Sequence, residues 1–190
     1  MLFPQRGPFN MKTFNSLIYS LCLFTGVSIA KVNELPHRGG PRPATTSGVP
    51  HKQLGVKAVK KIHTELMRRT FSIPGIKKGP SFTPYRDAVG ILLDEKVPVI
   101  RPRAILSQRE FSHFHPDGSL HAPLPLKRAL EAVKKSWAVR HPWATQRKGW
   151  DGLVLIYTPT SKKEQEVVFQ LIVESFNFVT GKKIDATDYP

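Results

Sequence analysis

The 190 residues include 40% hydrophobic and 9% aromatic side chains, enough for one domain with its own core and too many for a wholly disordered chain. The formal charge is +15, and it is uneven: 11 basic against 2 acidic residues give residues 31–85 a charge of +9. The single cysteine, Cys22, lies in the N-terminal apolar run. A chain cleaved after that run would use no disulfide, no thiolate nucleophile and no cysteine metal ligand.

In chain order, Arg6 and Lys12 precede an apolar stretch at residues 17–30 that ends in the small residues Ser28 and Ala30. That layout predicts a secretory signal peptide over residues 1–30 and a secreted product. The alternative is a membrane anchor, although the run is at the short limit for a span of about 20 residues. Residues 31–50, rich in Pro, Gly, Ser and Thr, predict a flexible basic linker, and the folded domain is expected over 51–185.

Leu54, Ala58, Val59, Ile62 and Leu66 recur at helical spacing and predict an amphipathic helix within 52–70, its other face basic. Residues 71–85, punctuated by Pro74, Gly75, Gly79, Pro80 and Pro84, read as a loop. Short apolar runs at 88–93, 97–100 and 104–106 have strand lengths. Leu126, Ala129, Leu130, Val133 and Trp137 predict a second helix, and residues 153–157 a buried strand. Ser161 with Glu164 fits a capping box before an apolar stripe from Val167 to Val179, and Gly181 suits a left-handed helix end. Short strands mixed with three helices, without regular alternation, predict an α+β fold with a mainly antiparallel sheet.

The chemistry concentrates in one stretch. His113, His115 and His121 flank Pro116-Asp117-Gly118, a turn signal that predicts a hairpin with a three-residue loop. In that register His115 faces Ser119 and His113 faces His121. Alternation then puts His113, His115, Ser119 and His121 on one face, with Phe114 and Leu120 on the other. Such imidazoles suit either proton transfer to and from an acidic hydroxyl or a divalent metal held by His113, His115 and His121, with Asp117 or His141 as a further ligand. Further along, the loop expected around Arg140-His141 supplies an anion-holding guanidinium and a fourth imidazole, while Trp137 reads as core and Trp143 as a stacking wall. No Gly-rich phosphate turn follows a predicted strand, so no flavin or nicotinamide cofactor is expected.

Arg109-Glu110, His113-x-His115, Asp117 through His121, Lys135-x-Trp137-x-x-Arg140-His141-Pro142 and Tyr157-x-Pro159 together resemble the fungal luciferases and the wider luciferase-like domain family, over about residues 109–181. The family resemblance implies oxidation of a hydroxy-pyranone such as 3-hydroxyhispidin by molecular oxygen, with no other cofactor. It marks His113, His115, Asp117, His121, Arg140 and His141 as the candidate site, with Trp137 and Tyr157 as scaffold or pocket walls; together with the reading of the residues this makes His113, His115, His121, Arg140 and His141 the catalytic candidates and Asp117, Ser119, Trp143 and Tyr157 the expected substrate contacts. The fungal enzymes are expected to have a longer connection where this chain has Pro116-Asp117-Gly118, and no counterpart is placed in them for the basic segment before residue 86. The likeness therefore implies a related pocket and leaves light emission open. Two other readings stand beside it: a histidine-ligated metal protein, and a secreted basic module that binds anionic surfaces through residues 31–85, with nucleic acid disfavoured by the leader.

Overall fold

The computed structural model describes Met1, residues 34–83 and residues 85–190. The expected signal peptide or anchor lies outside the described residues, and among those described no helix is long and apolar enough to cross a membrane.

From residue 34 onward the chain forms an α+β domain, in agreement with the expected class. Its elements are α1 (Lys60–Ser72), β1 (Ile76–Pro80), β2 (Val89–Leu93), β3 (Glu110–Phe114), β4 (Leu120–Pro123), α2 (Leu126–Lys134), β5 (Ala138–Arg140), β6 (Leu153–Ile156) and α3 (Lys162–Thr180). One six-stranded sheet has the order β1-β2-β3-β4-β6-β5, every neighbouring pair antiparallel. Phe111, Phe114, Leu120, Val154 and Ile156 from the sheet pack with Leu66 of α1 and Val168, Phe169, Ile172 and Phe176 of α3 in one buried core. The alternate residues of β4 and β6 are thereby left to build the opposite face.

The last helix follows its sequence closely. Ser161 Oγ accepts from Glu164 N at 3.2 Å, and Gly181, at φ 75°, closes the helix with its N–H on Asn177 O. The capping box is only half made, because the Glu164 carboxylate accepts from Thr160 N and Oγ1 and pairs with Arg38.

Elsewhere several expectations are corrected. The first helix begins at Lys60 rather than near residue 52: Gly55 has φ 74°, which breaks a right-handed helix, and Leu54 and Val59 are exposed. The loop expected at 71–85 contains β1, an edge strand ending in Pro80 where no ladder donor is needed. Residues 97–100 and 104–106 are not strands. Pro98 and Pro102 interrupt them, and Pro102–Ala104 forms a 3-10 turn. In α2 the buried side chains are Arg128, Ala129 and Ala132 while Leu126 and Leu130 are exposed. Arg128 turns inward because Glu174 and Glu131 receive its guanidinium.

Residues 34–50, expected as a flexible linker, are a strap anchored on the domain. Leu35 is 1% exposed and sits in the core, and its N–H donates to Glu131 Oε1 at 2.7 Å. Trp137 Nε1 donates to Pro36 O at 2.6 Å, and Arg38 pairs with Glu164 at 3.2 Å. Beyond the strap, Gln53 exchanges two bonds with Thr158. Between these anchors the chain passes His51, which is 3% exposed.

Candidate functional site

The hairpin forms in the register its turn dictates. His113 pairs with His121 and Phe114 with Leu120, His115 N donates to Ser119 O, and Gly118 takes φ 87° at the left-handed loop position. The side chains divide as alternation requires: Phe114 and Leu120 enter the core, whereas His113, His115 and His121 line a cavity of about 180 Å³ on the opposite face.

A bulge changes who joins them. β2 pairs Ile91 with Ser112 and Leu92 with Glu110, so Phe111 is the extra residue and the alternation reverses across it. Phe111 drops into the core. Glu110, which strict alternation would place opposite His113, lies instead on the imidazole face and reaches His113 Nδ1 at 2.7 Å. Its carboxylate also accepts from Ser81 Oγ and Phe82 N, both at 2.7 Å. Burial pushes the Glu110 carboxyl up, but these bonds outweigh it and hold the group below its ordinary value.

Five imidazoles therefore share one cavity. His113 Nε2 lies 3.1 Å from His121 Nδ1, and His121 Nε2 lies 3.3 Å from His51 Nδ1. His51 stacks on His121 with ring centroids 5.4 Å apart, and His141 meets His121 edge-on at 4.9 Å. Trp143 N–H donates to His141 Nδ1 at 3.1 Å, so a neutral His141 carries its proton on Nε2 and serves as a donor. Burial pushes His51 and His141 down to about 4 and His115 down to about 3, and it drives His121 well below its ordinary value. Those four rings are neutral at pH 7.

The walls are aromatic. Tyr85 stacks on His115 at 4.6 Å with planes 6° apart, Trp143 and Trp150 lie 6.2 Å apart, and Arg147 covers Trp150 at 3.8 Å. Either of two buried histidine groups could hold a metal ion: His113, His115 and His121, or His51, His121 and His141.

Among the sequence candidates, the structure brings His113, His115, His121, His141 and Trp143 together around this cavity. Asp117 and Ser119 stand behind it, Ser119 Oγ lying 2.9 Å from His115 Nδ1 and donating to Asp117 Oδ1 at 2.7 Å. They orient an imidazole and do not line the cavity. Arg140 is not in the site. It lies on β5, where pairing with Val154 sends it to the face opposite the imidazoles, and its Nη2 donates to Asp151 O at 2.8 Å. Tyr157 is also outside, buried beneath the Arg38 guanidinium of the strap. The sequence reading missed His51, Glu110, Tyr85, Arg147 and Trp150. Glu110 stood beside the histidine stretch, but the bulge that turns it inward has no sequence signature; His51 lies 62 positions before His113 and only the strap's path brings it in.

Sheet, bulged hairpin and enclosed imidazoles define an α+β domain with one cavity rich in buried ring nitrogens. Residues 108–175 match the Luciferase domain family model. The chain is 30% identical over 168 residues to proteins named luciferase from Armillaria gallica and Armillaria ostoyae, an alignment covering 78% of this chain and 62% of each relative. It is 27% identical over 169 residues to the luciferase of Neonothopanus nambi. Residues 108–175 thus match the Luciferase domain, and the chain is similar over most of its length to the fungal luciferases, of whose own length it spans about three fifths. No solved structure gives a significant match.

Proposed function

We propose that the domain is a luciferase-like oxygenase that binds a small, flat enol or phenol, of hydroxy-pyranone type, in the histidine cavity and promotes its oxidation by molecular oxygen. The observation that carries this reading is the convergence of five imidazoles, four of them held neutral by burial, on one aromatic-walled cavity. An imidazole lone pair accepts the enol proton. The enolate carbon then bonds to one oxygen atom of O2; carbon loses two electrons, dioxygen is reduced to the peroxide level, and the peroxide takes back a proton. The enol supplies both electrons, so the step requires no separate reductant. The Nε2–H of His141 and the Arg147 guanidinium provide positive potential for the anion, in the role expected of Arg140. Tyr85, Trp143 and Trp150 offer flat apolar surface to a conjugated ring.

The test is oxygen consumption by the full-length protein with 3-hydroxyhispidin or a related hydroxy-pyranone. His113→Ala and His141→Ala should each abolish turnover with an unchanged circular dichroism spectrum. Undiminished turnover in both folded variants removes the assignment.

A further inference from the structure

The inward-facing nitrogens of the hairpin are set by what the other nitrogen of each ring bonds. Glu110, an acceptor, takes the Nδ1–H of His113 at 2.7 Å, which leaves His113 Nε2 pointing to the other rings. Ser119 gives its own hydroxyl proton to Asp117 Oδ1 at 2.7 Å; its oxygen can therefore only accept from His115 Nδ1–H, 2.9 Å away. The lone pair of neutral His115 is thus on Nε2, a buried atom with no hydrogen-bond partner among the described residues. His121 presents Nδ1 to His113 Nε2 at 3.1 Å, and its Nε2 can donate to His51 Nδ1 at 3.3 Å.

Each of the three rings therefore has one nitrogen held from behind and one turned inward, the arrangement in which outer partners fix metal-ligating histidines. The spacing agrees. Two imidazole nitrogens on one cation, with bonds of ~2.0–2.1 Å, stand about 3.0–3.4 Å apart, and His113 Nε2 and His121 Nδ1 are 3.1 Å apart. One ring nitrogen from each of the three histidines lies within 4.8 Å of the others, and every ring is buried.

We propose that His113 Nε2, His115 Nε2 and His121 Nδ1 form a three-imidazole site for one divalent first-row transition-metal cation, with Glu110, the Ser119–Asp117 pair and His51 as its outer supports. Three protein ligands leave further coordination positions open toward the cavity. Resting on the enol-oxidation reading, this names the group that would receive the enol oxygen; with the cation bound, the ligand lone pairs are occupied and the enol proton leaves to solvent water instead. The competing histidine set shares His121 but requires His51 and His141 as ligands. His141 is poorly disposed to it, because Trp143 N–H already occupies its Nδ1 and leaves the ring proton on Nε2.

Cobalt(II) titration of the chelator-stripped full-length protein tests the site by visible ligand-field absorption. One equivalent should bind; His115→Ala should lose the spectrum, and His141→Ala should keep it. Ser119→Ala, which leaves all three ligands in place, should weaken binding about 10–100-fold, the usual effect of removing an outer partner, and it serves where His115→Ala does not fold. Absence of one-equivalent uptake by the intact protein overturns the site, as does loss in His141→Ala with retention in His115→Ala. Hydroxy-pyranone turnover by stripped protein that takes up no cobalt removes the metal site and leaves the oxidation standing. Cobalt uptake without turnover supports the site and removes the oxidation.

Discussion

Leu35→Ala tests whether residues 34–50 are structural. The side chain is 1% exposed and packs in the main core, where removing three carbons costs the transfer free energy plus a cavity term, about 3 kcal/mol within the usual 2–5. In a domain of this size each kcal/mol lowers the melting temperature by roughly 2–4 °C, so the midpoint should fall by about 6–12 °C. The loss should be larger than a loose tail could produce, because Leu35 N bonds Glu131, Pro36 O receives Trp137 and Arg38 pairs with Glu164, all within four residues. Differential scanning calorimetry gives the midpoint, and limited proteolysis shows whether cleavage in the strap precedes global unfolding in the variant. A midpoint shifted by less than about 2 °C, where the cavity cost demands several kcal/mol, together with an unchanged digestion pattern, would refute the anchoring and with it the positioning of His51.

Three other outcomes are expected. Gly152→Ala would bring a Cβ within 1.8 Å of Leu124 O, a backbone atom that cannot move without disturbing the Pro123–Leu153 pairing; the urea midpoint should fall by an amount equivalent to about 3 kcal/mol or more, and an unaltered midpoint would contradict the packing. His51 and His141 are pushed by burial from 6.5 down to about 4, so the unfolded chain binds protons first: in chelator-treated protein their contribution is intact above pH 6.5 and is withdrawn as pH falls toward 4, by roughly 3 kcal/mol for each ring. Urea unfolding at successive pH values should show that decline, and a flat profile between pH 7 and 4 would contradict it. Arg140→Ala should leave the KM for a hydroxy-pyranone unchanged, whereas Arg147→Ala should raise it severalfold; the opposite result would restore Arg140 to the cavity.

How much of this was legible in the sequence depended on the range of the information. The hairpin was readable because Pro116-Asp117-Gly118 fixes a loop length, loop length fixes register, and register fixes which side chains share a face. The last helix was readable because its cap, stripe and glycine terminator are all local. Arg140 was misassigned since residues 138–140 become a strand only by pairing with β6, and a three-residue strand has no period to detect. Once it pairs, neighbours must part company: Arg140 goes opposite Val154 while His141 N–H bonds Leu153 O and its ring joins the cavity.

The same distinction explains why the site is more elaborate than its motif. Local spacing supplies three imidazoles on one ribbon, but exposed on a sheet face they would titrate near the ordinary histidine value and act as surface groups. What holds His115 and His121 neutral is burial, and the cover comes from remote segments: Pro50 of the strap and the adjoining His51, Phe82 and Tyr85 from the β1–β2 connection, and Trp143 and Trp150 from the segment before β6 all line the cavity. Burial is the largest influence on His51, His115, His121 and His141. The chemistry of the hairpin thus depends on residues that make no part of its motif. Opening the strap should therefore let the rings protonate at higher pH even with every histidine in place, so the pH at which Leu35→Ala begins to lose stability should lie above that of the unaltered protein. Equal onsets in the two proteins would show that the strap does not control the electrostatics of the cavity.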